Sequence, residues 1–120
     1  MHWNIKGKKF FELHARLEQM YQYLAEKADE VAERIKALEA VPLHSFEDFL
    51  EKAHIKSRKN ISKSDDVVQA VRDDLIQLLE RERKLLALAH EIGDEGTAAL
   101  LSDAIRDQEK MAWMYEAYLD

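Results

Sequence analysis

At 120 residues the chain has room for one domain, spanning residues 1–120. With 3 glycines, 1 proline and no cysteine it favours long helices and excludes disulfides, thiolate metal sites and cysteine nucleophiles. The formal net charge of −6 opposes nonspecific nucleic-acid binding by the body of the protein and suits attraction of cations.

Met1 to Lys6 reads as the stub of a helix that ends at Gly7. Phe10, Leu13, Leu17, Met20, Leu24, Ala28, Val31, Ile35 and Leu38 then recur at steps of three and four, which predicts one long helix over Lys9 to Glu39. It must stop before Pro42, which disfavours helical geometry at Val41. Ser45 with Asp48 fits a capping box opening a short helix in SFEDFLEKA. HIKSRKNISKS is polar, basic and aperiodic, and reads as a loop. Ser64 is the expected N-cap of the next helix, with Asp65 and Asp66 complementing its positive end. Val67, Val68, Val71, Leu75, Leu78, Leu79, Leu85, Leu86 and Ala89 carry its apolar stripe, and Gly93 ends it as a left-handed cap. A last helix begins near Glu95 to Thr97 and presents Leu100, Leu101, Ala104, Ile105, Met111, Met114, Tyr115 and Tyr118. The reading is all-α: three long helices, one short helix and a stub in front. No apolar run approaches a membrane span, and His2, Asn4 and Lys6 interrupt any signal-peptide pattern. Absent cysteine fits a reducing cytoplasm.

Four side chains stand out as metal ligands: His2, His14, Asp29 and Glu33. Two imidazoles with two carboxylates suit a divalent first-row metal such as iron. Asp29 and Glu33, four residues apart, share one helical face. His14 and Asp29 lie on one predicted helix, separated by roughly 22 Å at ~1.5 Å per residue. No side chain closes that gap within one subunit, whereas an antiparallel copy of the same helix does. The pattern therefore predicts a site assembled between subunits. Taken singly, each residue also has an ordinary reading, as a surface histidine or a solvated acidic face.

HWNIKG, FFELHARLEQMY, DEVAERI, GDEGTAALL and QEKMAWMYEAYL, in this order, resemble the Dps proteins, the starvation-induced mini-ferritins. The resemblance covers essentially the whole chain. It implies a ferritin-like four-helix bundle with a short helix in the central connection, assembled as a hollow dodecamer. It further implies ferroxidase centres at the two-fold interfaces, with His2 and His14 from one subunit and Asp29 and Glu33 from its neighbour. Ferrous iron would be oxidised there, preferentially by hydrogen peroxide, and stored as ferric mineral. Family members carry most of a first long helix ahead of the H-W pair, whereas here Met1 stands directly before His2, so the first helix of the bundle is expected to be truncated.

Asp94 and Asp103 match positions that resemble the acidic lining of the family's iron-entry pore. Glu95 adds to the field, and Ala99 thins it at a third matching position. Asp94 and Glu95 also suit a helix start for its dipole alone. Glu18 reads as a nucleation residue or simply a solvated glutamate. Trp3 reads as an interface aromatic or a trap for stray oxidant. Glu51 with His54 forms a lone E-x-x-H on the short helix, read as incidental, and His44 and His90 lack ligand partners at helical spacing. The basic runs, Lys6, Lys8, Lys9 and KSRKNISK, are short, and DNA binding by this polypeptide is not expected. Two other functions stay open: a helical oligomer that keeps the ligands without mineralising, and a DNA-protecting nucleoid protein.

Overall fold

The computed structural model describes residues 1–120 as four helices. These are α1 (Phe10–Ala37), α2 (Phe46–Lys52), α3 (Ser64–Glu91) and α4 (Glu95–Leu119). Ahead of α1, residues 1–5 form a single turn closed by Ile5 N–H donating to Met1 C=O at 3.2 Å. Gly7 follows at φ +110°, a backbone state that glycine adopts without a Cβ penalty.

Capping explains most of the boundaries. Ser45 Oγ accepts from Asp48 N–H at 3.1 Å, as the S-x-x-D spacing predicts. Gly93 takes φ +72° just past α3. Ser64 is the first helical residue and not the cap: Lys63 sits at the N-cap in extended geometry, without a side-chain bond. The reason is tertiary. Lys6 N–H donates to Ser62 C=O at 2.9 Å, and this bridge draws the stretch before α3 straight. Past the end of α1, Glu39 adopts φ 62°. A β-carbon is disfavoured there, so Glu39→Gly is expected to raise stability by about 0.5–1 kcal/mol in urea unfolding at pH 7.

Arg34 at the end of α1 meets Asp94 at the start of α4, and Lys9 at the start of α1 lies over the Tyr118 ring at its end, so α1 and α4 run antiparallel. Arg83 with Glu109 and Arg72 with Glu116 pair α3 antiparallel to α4 in the same way. Hence α1 and α3 are parallel, and the connection holding α2 must travel back along the bundle. The core forms where the three long helices meet: Leu13, Leu17 and Met20 of α1 against Val67, Val68, Val71 and Leu75 of α3. Ile5 from the N-terminal turn is buried in the same cluster, and Met111, Tyr115 and Tyr118 of α4 pack against it.

Three long helices close only part of a bundle. The Cα radius of gyration is 15.8 Å, against about 14 Å for a compact chain of this length. An apolar cleft of about 450 Å³ runs between α1 and α3, lined by Leu17, Met20, Leu24, Val71, Leu75 and Leu78 with Met1 and Trp3 at its end. Leu24 is exposed on this cleft, and farther along the predicted α1 stripe Val31 and Leu38 are exposed as well.

The sequence stripes also missed a polar island in the core. Gln108 of α4 is 1% exposed, and its Nε2 donates to Glu82 Oε1 of α3 at 2.8 Å. Glu82 Oε2, Gln108 Oε1 and the Tyr23 hydroxyl of α1 are buried with no hydrogen-bond partner. Burial pushes the Glu82 carboxyl above the usual range, against the Gln108 hydrogen bond and the Lys27 charge, which lower it. A raised carboxyl gives a folded state that holds its proton more tightly than the unfolded chain. Its contribution therefore falls as pH rises from the unfolded value through the folded one. Glu82→Gln keeps an acceptor for Gln108 and adds a donor for the orphaned oxygens. The variant is expected to melt higher than the parent at pH 7, with the difference shrinking toward pH 4 in a calorimetric pH series.

Candidate metal centre

His14 sits one turn into α1, and His2 is brought beside it by the N-terminal turn, which buried Ile5 and the Lys6–Ser62 hydrogen bond pin to the body. Each histidine then binds the other's backbone. His2 Nδ1 lies 3.0 Å from His14 C=O, and His14 Nδ1 lies 3.1 Å from His2 C=O. A carbonyl oxygen only accepts, so both Nδ1 atoms carry the proton. In the neutral rings both Nε2 atoms are therefore unprotonated and keep their lone pairs. A second-atom hydrogen bond of this kind is how proteins fix the tautomer of a metal-binding histidine. The rings stack face to face at 3.8 Å with 23° between their planes.

Asp29 and Glu33 lie farther along α1, both exposed, and neither makes an ion pair or a side-chain hydrogen bond within the chain. Arg34, the neighbour able to neutralise Glu33, is turned the other way. Its Nη2 donates to Asp94 Oδ1 at 2.7 Å and its Nε to Thr97 Oγ1 at 3.1 Å. No three His, Asp or Glu side chains of one chain gather closely enough to hold a metal ion, so the imidazole pair at the start of α1 and the carboxylate pair farther along it stay apart. The donor chemistry fits iron: two free imidazole nitrogens and two unpaired carboxylates, with no thiolate.

The residues considered for a pore are differently placed. Asp94 caps α4, with Thr97 N–H donating to Oδ1 at 3.1 Å and the Thr97 hydroxyl donating to Oδ2 at 2.5 Å. These bonds from Thr97, with the Arg34 guanidinium, hold its carboxyl below the usual range. Gly96 makes room for this lock, since a Cβ there would lie 2.7 Å from Arg34 Nη2. Asp103 is exposed and pairs with Arg106 Nη2 at 2.7 Å. His90 lies 3.7 Å from Glu95, His44 bonds the Pro42 carbonyl, and Trp3 is 89% exposed beside the histidine pair.

Sequence reasoning found the four ligand candidates but missed what surrounds them. Phe10 stacks on His14 at 5.0 Å, and the Tyr21 ring meets His2 edge-on at 5.2 Å. The signal was present: Phe10, His14 and Tyr21 stand four and seven residues apart, on one face of a helix.

A family model described as a ferritin-like domain matches residues 1–120. The chain is 40% identical over 117 residues to a DNA protection during starvation protein of Porphyromonas gingivalis, covering 98% of this chain and 74% of that one. It is 37% identical to general stress protein 20U of Bacillus subtilis, covering 98% and 81%. Among solved structures it superposes on the Dps protein of Vibrio cholerae O1, described as a member of a superfamily of ferritin-like diiron-carboxylate proteins. That match has a TM-score of 0.96, 50% identity, and covers 99% of this chain and 75% of that one.

Proposed function

The chain belongs to the Dps family of ferritin-like proteins, and from that premise we propose that it oxidises ferrous iron at centres shared between copies of itself and stores the ferric product inside a twelve-subunit shell. One observation carries this reading. The two histidines are clasped so that both Nε2 atoms are free, while Asp29 and Glu33 are left unpaired elsewhere on α1. Each chain thus offers half a ligand set to a neighbour. His2 and His14 would supply neutral nitrogen, and Asp29 and Glu33 would supply carboxylate oxygen. Acid weakens capture, because protonated imidazoles hold no metal.

Hydrogen peroxide is the preferred oxidant in this proposal. Two ferrous ions give up one electron each, peroxide takes both with two protons, and two waters result. Paired delivery avoids the hydroxyl radical that single-electron reduction releases. Self-association is supported by exposed apolar side chains along α1 and the following segment: Val31, Leu38, Val41, Phe46 and Leu50. Such surface is costly to leave in water and suits a second copy. In a pore, Asp94 would be offset by Arg34 and Asp103 by Arg106, so the attraction of cations there is shallow. No helix is long and apolar enough to cross a membrane, and a cytoplasmic site of action fits the absence of cysteine.

The test is iron loading under anaerobic conditions with peroxide, followed by ferric absorbance and particle mass together. A particle of twelve chains that gains mass as absorbance rises supports the proposal. A monomer or dimer that forms no mineral refutes it and leaves a non-mineralising helical oligomer.

A second reading has its own observation. The Lys6–Lys63 bridge brings two separate basic runs, Lys6–Lys9 and the loop through Lys59 and Lys63, to one end of the molecule. If that end holds DNA, a mobility-shift series shows binding that weakens steeply with salt. Absence of binding at low salt removes this reading.

A further inference from the structure

The reciprocal hydrogen bonds determine which nitrogen of each imidazole is free, but they do not by themselves keep the two rings face to face. Neutral imidazoles gain little from stacking on one another. When both bind metal, their rings take up positive character and repel. Something outside the pair must hold it closed. On one side Phe10 lies over His14, 28° from parallel with centroids 5.0 Å apart, and Phe10 is itself packed against the core cluster. On the other side Tyr21 meets His2 at 82° with centroids 5.2 Å apart. Phe10, His14 and Tyr21 are all borne by α1. His2 is the only ring of the four that comes from outside the helix, and it enters between His14 and Tyr21.

We propose that Tyr21 is a positioning residue for the metal centre: its ring closes the open end of the Phe10–His14–His2 stack and holds the His2 imidazole in the orientation set by the clasp. This rests on reading His2 and His14 as ligands. The hydroxyl is not the working part. It reaches only Glu18 Oε1, at 3.5 Å, which is too long for a strong hydrogen bond. The ring is. Aromatic contacts of this edge-to-face geometry are favourable beyond their buried area. Without it, the outer side of the His2 ring has no aromatic neighbour, and the clasp to His14 and the turn at the start of the chain leave the ring a freedom that metal binding must then remove.

The experiment uses the full chain with Tyr21→Ala and Tyr21→Phe, titrated with cobalt(II) alone and followed by its visible absorbance. Tyr21 is about half exposed, so neither change removes core packing. Tyr21→Ala is expected to weaken cobalt binding on the order of ten-fold, the scale of lost support behind a metal ligand, and Tyr21→Phe to stay within about two-fold of the parent. In the metal-free protein, the His2 ring-proton resonances of Tyr21→Ala should move toward their solvent-exposed positions, while those of Tyr21→Phe stay shifted. Parental cobalt affinity in Tyr21→Ala overturns the inference, and so does a loss in Tyr21→Phe as large as in Tyr21→Ala. The control is the chain lacking both histidines. If it still binds cobalt as the parent does, the ligand assignment itself fails. If it loses binding and Tyr21→Ala does not, only the role of Tyr21 falls.

Discussion

Replacing His2 and His14 together by alanine is expected to slow ferrous oxidation by ~10–100-fold while leaving particle mass unchanged. The magnitude is that of losing groups that bind or orient a metal, and alanine is tolerated in the first turns of α1. Both side chains are only partly buried and neither belongs to the core cluster, so their removal opens no core cavity. Asp29→Ala should have a similar effect, acting across the contact between copies. The decisive form of the experiment mixes the two variants. Each contributes the half-set that the other lacks, so co-assembled particles should regain part of the parental rate. Verified mixed particles with no recovery would mean that the carboxylates and imidazoles do not share a site. Unchanged kinetics in the histidine variant would place the chemistry elsewhere.

The second large effect is on folding and reaches the site through one side chain. Ile5 is 2% exposed in the main core cluster, although it belongs to a turn outside every helix. Ile5→Ala is expected to cost about 3 kcal/mol, a large share of the ~5–15 kcal/mol that holds a domain folded, and to lower Tm by about 10 °C. It should also weaken cobalt binding, because Ile5 anchors the turn that carries His2. Ile5→Val keeps the anchor, should cost about 1 kcal/mol, and should leave binding near parental. Metal affinity that survives Ile5→Ala intact would show that the reciprocal histidine bonds alone hold His2 in place.

The Arg34–Asp94–Thr97 lock shows how the same residues serve folding before function. Asp94 is a helix cap held below the usual carboxylate range by Thr97 and Arg34. It stabilises the fold above the ordinary carboxylate range, and that contribution is lost as pH falls through the depressed value. Glu82 has the opposite sign, because burial and not a partner dominates its shift. The lock also commits Arg34 to Asp94 and Thr97, and Glu33 beside it in sequence makes no ion pair within the chain.

Helix number and type, the short helix in the connection and the four ligand candidates were legible in the residues alone. Apolar spacing, caps at Ser45 and Gly93, and ligand intervals are local properties, and the rise per residue forbids His14 from meeting Asp29 within one chain. Other features became visible only in the tertiary structure. They are the His2–His14 clasp, the bracket of Phe10 and Tyr21, the buried Gln108–Glu82 pair, and the bridge that put the N-cap of α3 at Lys63 and not at Ser64. Each depends on how backbone and side chains are placed where segments of the fold meet, and a one-dimensional pattern carries no information about that placement.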